Sequence, residues 1–452
     1  MSSSQRITHS QWSSRLAFIL AATGSAVGLG NIWKFPYIAG ENGGGAFVLV
    51  YLICVALIGI PLMMAETLLG RRGKRNPIDT MALLTEESKA DEHWRYLGWL
   101  GVVAALLILS YYSVIAGWAS AYSFKALLGS FFGANAQETQ ALFENFVASP
   151  IQLIFWHSAF MLATLLIVVR GVTQGLEKFA MLFMPLLFLM MLLLVGYAMT
   201  TSFYQQGLHF LFTPDFSKIT GTTVLTAMGQ AFFSLGLSCG TIMVYGAYLP
   251  KDVSIAQTSL WIAVADTVVA LLAGLAIFPL VFMHGLHPAS GPGLVFQTLP
   301  IAFGNMTGGW LFGILFFVML VFAALTSSIA LIEPAVAYLI ENKGLERRQA
   351  CIVAGGAVWL LGLGTVFSFN VGADFKVFGL TFFELIDYVT ANLMLPIGGF
   401  ATAVFVGWFL YQQHSEQELA LPAAQYQLWQ FLVRYVAPAT VFLVFLHTVG
   451  VL

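Results

Sequence analysis

Runs of about twenty apolar residues recur along the whole 452-residue chain, at 16–39, 44–69, 97–126, 151–169, 179–201, 223–249, 256–284, 308–340, 350–369, 378–411 and 428–451. Each is long enough for a helix to cross a hydrocarbon core roughly 30 Å thick. Inside such a core every backbone N–H and C=O needs a partner within the protein, which leaves only helices and closed barrels as spanning structures. The alternating segments of about ten residues that a membrane barrel requires are absent. With 59% hydrophobic and 9% charged residues, against about 25% charged in soluble domains, a water-soluble fold could not hide the apolar surface. The expected class is an all-α integral membrane protein with eleven spans.

Lys and Arg are retained on the cytoplasmic side during insertion. Placing the N-terminus inside puts fifteen of them at that face, among them Arg6, Arg15, Arg71, Arg72, Arg347 and Arg434. Only Lys125, Lys218 and Lys376 then fall outside, and Lys34 lies within a span. Eleven spans leave the C-terminus outside, with a polar loop at 412–427 before the last one. The first run continues past Gly30 into Pro36, which argues against a cleaved signal peptide. Cys54, Cys239 and Cys351 are far apart in apolar spans and offer neither a disulfide framework nor a zinc spacing; the eight histidines show no ligand spacing either. A net charge of −2 says little about partners, and nothing in the sequence points to nucleic acid.

Two of the runs do not read as plain lipid-facing helices. Gly24, Gly28 and Gly30 interrupt the first, with Asn31, Lys34 and Pro36 following; the sixth carries Gly229, Ser234, Gly236, Ser238, Gly240 and Gly246. Small residues also permit close helix packing in membranes. Position separates the two readings, because spans one and six open two consecutive sets of five. Interruptions at matching places in two halves point to an inverted repeat with a midplane binding site. An unwound stretch frees carbonyl oxygens for a cation, and the half-helix N-terminus offers N–H groups to an anion. An amino-acid zwitterion accompanied by sodium needs both.

Charge inside the spans is the second signal. Lys34, Glu66, Asp266, Glu333, Glu384 and Asp387 lie within or at the edge of apolar runs, where an isolated charge costs at least about 2.5 kcal/mol. Such residues face a polar cavity or one another, and Glu384 also fits a structural ion pair near the headgroups. An ion channel would use the same charges to line a pore. An intramembrane enzyme fits poorly, since no paired catalytic carboxylates, histidine cluster or nucleophile with a base stands at usable spacing.

The segment WSSRLAFILAATGSAVGLGNIWKFPYIAGENGGG at 12–45 closely resembles the first-helix signature of the neurotransmitter:sodium symporter family, in its bacterial amino-acid transporter branch. The resemblance continues through GIPLMMAETLLGRRG at 59–73, SYYSVIAGW at 110–118, GQAFFSLGLSCG at 229–240 and AALTSSIALIEP at 323–334. It implies an inverted five-plus-five helix repeat with discontinuous helices 1 and 6 and one further helix, working by alternating access in a bacterial-type inner (plasma) membrane. The corresponding boundaries are a cytoplasmic segment at 1–12, the first repeat at 13–201, the second at 202–411 with an extracellular loop around 285–307, and a loop and eleventh helix at 412–452. A single chain suffices for such a site, the oligomeric state stays open, and any contact that relies on a twelfth helix is in doubt.

The same resemblance implies two sodium sites. One uses Ala26, Asn31, Ser234 and Asp266 together with the substrate carboxylate; the other uses Gly24, Val27, Ala323, Thr326 and Ser327, five oxygens without formal charge. Animal members have an amide where Asp266 stands and bind chloride to balance the sodium charge. Some bacterial relatives place a balancing carboxylate where this chain has Ala270, one turn beyond Asp266 on the same face. Asp266 is therefore expected to supply the charge, with no chloride requirement. A proton-coupled transporter with Asp266 or Glu66 as the titrating group is the nearest alternative.

Gly28 stands where monoamine carriers of the family have an aspartate, which implies an amino-acid substrate that brings its own carboxylate. That carboxylate is expected at Tyr112 and the N–H groups around Leu29 and Gly30, with carbonyls near Ser25, Ala26 and Phe233 for the ammonium group, and Tyr112 and Phe233 as the lid. The side-chain pocket by resemblance is Ser25, Tyr112, Phe233, Gly236, Cys239, Ser327 and Leu331. Gly236 and Cys239 are smaller than their counterparts in the leucine-carrying member, so a large hydrophobic or aromatic amino acid is expected. Lys34 and Asp387 resemble the outer gate pair, although a lysine lacks the bidentate fork of the usual arginine. Glu341 resembles the inner gate acid; His9 occupies the usual arginine position, so Arg6 or a protonated His9 is its expected partner. Trp12 is expected to anchor the same segment, or to sit in the interfacial aromatic belt.

Overall fold

The computed structural model describes residues 12–285, 287 and 294–448. Arg6 and His9, and part of the loop expected around 285–307, lie outside the described residues. The described chain is helical throughout, with two isolated β-bridges and no strand.

The first apolar run folds as two helices, α1 (Arg15–Ala26) and α2 (Gly30–Glu41), bent by 49° across the residues between them. α1 starts at Ser14, whose hydroxyl accepts from the Ala17 N–H at 3.1 Å. It ends where Val27 turns extended (φ −69°, ψ 106°). Three long spans follow, α3 (Gly45–Gly73), α4 (Glu92–Leu127) and α5 (Pro150–Val168), and then α6 (Val172–Met199). The sixth run is again two helices, α7 (Gly221–Ser234) and α8 (Thr241–Ala247). Between them Gly236, Ser238 and Gly240 all take positive φ, at 63°, 66° and 68°. A left-handed serine is uncommon and marks a backbone held by its surroundings. The remaining spans are α9 (Ile255–Met283), α10 (Gly309–Lys343), α11 (Arg347–Phe367), α12 (Phe382–Phe409) and α13 (423–448).

Among the described residues, eight helices are long and apolar enough to cross a membrane, and the bent pair α1 and α2 makes nine. The other two of the eleven apolar runs are the sixth, cut into two short pieces, and the last, whose end lies outside the described residues. Residues 412–427, expected as a polar loop, instead contain the helix Gln412–Leu419 and the first turn of α13. Arg71 of α3 holds that helix by donating to the Glu418 carboxylate at 2.8 Å and to the Glu418 carbonyl. Glu384, expected as a buried charge, is exposed. It closes a capping box at the start of α12, accepting from the Thr381 N–H at 2.7 Å.

α1 packs against α6, α9 and α10, and α10 lies along α4, so both breaks sit at the centre of the bundle. α8 lies directly on α3. An ideal Cβ at Gly70 would stand 2.8 Å from the Met243 carbonyl carbon and 3.0 Å from the Ala247 nitrogen. Only a residue without a side chain permits that approach.

Glu333 of α10 is fully buried and is met by the Arg347 guanidinium through two bonds, at 2.6 and 3.1 Å, and by the Tyr248 hydroxyl at 3.2 Å. Removing one partner of such a pair leaves the other as an uncompensated buried charge. Glu333→Gln is therefore expected to destabilise the fold by about 3–5 kcal/mol, read as a clear fall in Tm in detergent. An unchanged Tm would show that the pair contributes nothing net.

Candidate functional site

The two breaks treat their N–H and C=O groups differently. In the first, the Gly28 N–H donates to Asn31 Oδ1 at 3.1 Å and the Leu29 N–H to the Tyr112 hydroxyl at 3.2 Å. The Gly30 carbonyl accepts from Gln230 Nε2 at 2.8 Å. In the second, the Ser238 N–H donates to Glu66 at 2.7 Å, and the Gly236 carbonyl accepts from the Thr241 hydroxyl at 3.1 Å. Among the described residues, the Gly24 and Val27 carbonyls are met by hydroxyls of α10. Ser327 Oγ is 3.5 Å from Gly24 O and 3.4 Å from Val27 O, and Thr326 Oγ1 is 3.5 Å from Val27 O. Both hydroxyls also reach the Ala323 carbonyl, at 2.9 and 3.3 Å. Two protons among five oxygens leave acceptors in excess, a donor set suited to a hard cation.

A second polar cluster lies on the other side of the first break, where Asp266, Asn31 and Ser234 are all buried. Asn31 Nδ2 donates to Asp266 Oδ1 at 2.8 Å and to Ser234 Oγ at 2.9 Å, and Ser234 donates to Asp266 Oδ2 at 2.7 Å. The Tyr51 hydroxyl stands 3.4 Å from the same carboxylate. All these donors are neutral, and no Lys or Arg among the described residues pairs with Asp266. The amide faces the carboxylate through its nitrogen. A cation held between them calls for Oδ1 there, hence for the amide turned over.

Between the clusters is a small cavity. Ten of the expected substrate residues line it: Ser25, Ala26, Gly28, Gly30, Tyr112, Phe233, Gly236, Cys239, Ser327 and Leu331. Leu29 contributes its N–H while its side chain is buried behind the break, and Ser234 belongs to the Asp266 cluster. Gly28 is the tightest point. An ideal Cβ there would stand 2.7 Å from Tyr112 Oη and still closer to Ser327 Oγ.

Sequence reasoning missed Ile108, Thr241 and Leu395 in the wall, and Tyr51 and Gln230 around the breaks. Ile108 stands one turn before Tyr112, a spacing that places it on the same helix face. Gln230 lies inside the family-like segment at 229–240. Tyr51 and Leu395 belong to apolar runs in which nothing distinguishes them.

The expected outer gate is not joined. Lys34 and Asp387 form no ion pair; the Lys34 ammonium lies 4.2 Å over the Phe233 ring, a cation–π contact. At the opposite end Glu341 accepts from the Asn76 N–H at 2.8 Å and from its amide at 2.7 Å. Arg6 lies outside the described residues. Trp12 is an anchor rather than a belt residue. It is buried, its Nε1 donates to the Tyr245 carbonyl at 3.2 Å, and its N–H donates to the Tyr248 carbonyl at 3.3 Å. The neighbouring Ser13 donates to the buried Glu177 through its N–H at 3.0 Å and through its hydroxyl.

The family model for the sodium:neurotransmitter symporter family matches residues 9–135 and 130–452. The chain is 38% identical over 446 residues to the protein named uncharacterized sodium-dependent transporter YhdH of Bacillus subtilis (strain 168), with 98% of each covered. It is 33% identical to an uncharacterized sodium-dependent transporter of Haemophilus influenzae, over 96% of this chain and 97% of that one. Among solved structures, that of MhsT in complex with L-phenylalanine matches with a TM-score of 0.91 and 41% identity, over 97% of this chain and 100% of that one. That likeness places the two broken helices in the inverted-repeat fold of such transporters and leaves no place for a channel or an enzyme. The chain belongs to the sodium:neurotransmitter symporter family and is a sodium-dependent membrane transporter.

Proposed function

We propose that the protein imports an L-amino acid, large and hydrophobic or aromatic, by alternating access with two sodium ions and without chloride. The observation that carries this reading is the cavity at the meeting point of the two broken helices, flanked by an uncharged oxygen cluster on one side and a buried carboxylate on the other. The substrate carboxylate would meet Tyr112 and the N–H groups at Leu29 and Gly30, displacing the bond Tyr112 now makes. The ammonium group would meet carbonyls near Ser25, Ala26 and Phe233. Gly236, Cys239, Ile108, Leu331 and Leu395 give the side-chain end apolar walls with little bulk at Gly236. The match to a transporter holding L-phenylalanine supports that choice.

One sodium would sit among Gly24, Val27, Ala323, Thr326 and Ser327, and the other among Ala26, Asn31, Ser234 and Asp266. Asp266 faces neutral donors only, and Ala270, fully buried one turn on, adds no charge. Its carboxylate is thus free to balance a cation, which supports independence from chloride. Residues 13–201 and 202–411 form the two repeats on this reading, with 412–452 added. The N-terminus is cytoplasmic and the C-terminus outside. Lys34 with Asp387, and Glu341 with Arg6, form the outer and inner gates. One chain holds the whole site, so a monomer suffices.

The test is uptake into proteoliposomes. Radiolabelled phenylalanine, tryptophan, tyrosine or leucine is expected to accumulate under an inward sodium gradient, to stop when choline replaces sodium at fixed pH, and to continue equally in chloride and gluconate. Accumulation in choline, or a steep chloride requirement, would overturn the corresponding part.

At Gly28, substitution by Ala overpacks the point between Tyr112 and Ser327. Binding of the amino acid is expected to weaken about 5- to 150-fold, from an overpacking cost of roughly 1–3 kcal/mol where the substrate carboxylate would sit. Binding at wild-type strength would remove the cavity from consideration.

Removing the charge at Asp266, as in Asp266→Asn, is expected to raise the sodium concentration for half-maximal binding by at least about tenfold, since a unit charge near a cation is worth several kcal/mol even at an effective dielectric constant near 20. An unaltered sodium dependence would exclude the carboxylate as a ligand.

A further inference from the structure

α12 and α13 are antiparallel neighbours joined through residues 410–422, and each carries a wide π-helical turn where they meet, Phe405–Phe409 and Leu432–Val436. Such turns disturb the regular ladder and recur at functional positions. The backbones are close because position 407 has no side chain: an ideal Cβ there would stand 2.9 Å from Arg434 Cα. Trp408 Nε1 donates to the Arg434 carbonyl at 3.1 Å, and the Arg434 guanidinium lies 4.3 Å over the Trp408 ring and 5.7 Å from the Tyr435 ring. Its Nε is buried without an acceptor, and no carboxylate among the described residues pairs with it. A permanent cation at the membrane is normally met by an anion.

Arg434, Trp408 and Phe409 separate two grooves. The one on the side of the connecting segment is polar, with Tyr411, Gln412, Ser415 and Gln430 in its wall. The other is apolar, with Val404, Phe400, Pro438, Ala439 and Phe442, and it runs along both helices away from that segment. Phe442 is 48% and Trp408 53% exposed, so this face opens toward the bilayer. Trp and Tyr flanking the cation mark the level of the headgroups.

We infer that this junction binds an anionic phospholipid, its phosphate on the Arg434 guanidinium in the polar groove and one acyl chain in the apolar groove. The order along the helices is that of a lipid, with hydrogen-bonding groups at the chain connection, the cation next, and apolar wall toward the membrane interior. A planar guanidinium matches phosphate geometry, and basic pockets between membrane helices take such headgroups.

The experiment is native mass spectrometry of the full chain in mild detergent, exposed to equal amounts of phosphatidylglycerol and phosphatidylcholine with the same acyl chains. Phosphatidylglycerol adducts are expected to exceed phosphatidylcholine adducts at least about fivefold, as one basic contact at a membrane surface predicts. Arg434→Gln is expected to bring the ratio to near unity, whereas Arg95→Gln, at a fully exposed arginine on α4, leaves it unchanged. Ala439→Phe, which fills the apolar groove without touching the guanidinium, is expected to abolish the preference as well, so a folding defect in one variant does not decide the matter. Equal adducts in the wild type, or an undiminished ratio in both groove variants, would overturn the inference. So would full displacement of the lipid by glycerol phosphate, or dimers that disappear with Ala439→Phe.

Discussion

The structure depends on one constraint: a helix that unwinds in the middle of a bilayer must find partners for its main chain inside the protein. Here the N–H groups find theirs in Asn31, Tyr112 and Glu66. The carbonyls of Gly24 and Val27 are left against hydroxyls that already serve Ala323. On the proposed reading that imbalance turns a defect in a helix into an oxygen-rich site, because surplus acceptors are stabilised by a cation. The second break is filled differently, with a carboxylate from α3 reaching a left-handed serine.

Three buried carboxylates show how burial separates structural from functional charge. Glu333 is matched by a guanidinium and a tyrosine and is neutral as a pair. Glu66 accepts one N–H and leaves Oε2 without a partner. Asp266 is surrounded by amide and hydroxyl donors that carry no charge. A carboxylate solvated in this way keeps its attraction for a cation, whereas one already paired does not.

The breaks were legible in the sequence because glycines at that density weaken a membrane helix at the very place where they cluster, whereas most of the cavity wall came from the family resemblance of the segments around them. Glu384 was misread because hydropathy counts it inside an apolar run, while its position after Thr381 is that of an exposed helix start. The helix at 412–419 was hidden because its composition is polar; Arg71, 347 residues away from Glu418 in sequence, holds it in place. Tyr51 could not be singled out because an aromatic in an apolar run looks like packing until its hydroxyl is seen beside Asp266. Local pattern reports where the chain must bend, and the partners that stabilise the bend come from distant segments.

The two ends of the molecule are held unequally, and the inequality bears on how the cavity could open. At the N-terminal end Trp12 is bonded to both Tyr245 and Tyr248, Ser13 to Glu177, and Glu341 to Asn76. At the other end Lys34 and Asp387 are not joined, and the lysine instead rests on Phe233, a ring that lines the cavity. On the proposed reading this contact links gate and lid: the ammonium cannot move to Asp387 without leaving Phe233, and Phe233 cannot swing over a bound side chain without disturbing the ammonium. A lysine is suited to that exchange, since a compact point charge on a flexible stem gives up one partner for another more readily than a guanidinium fixed by two bonds.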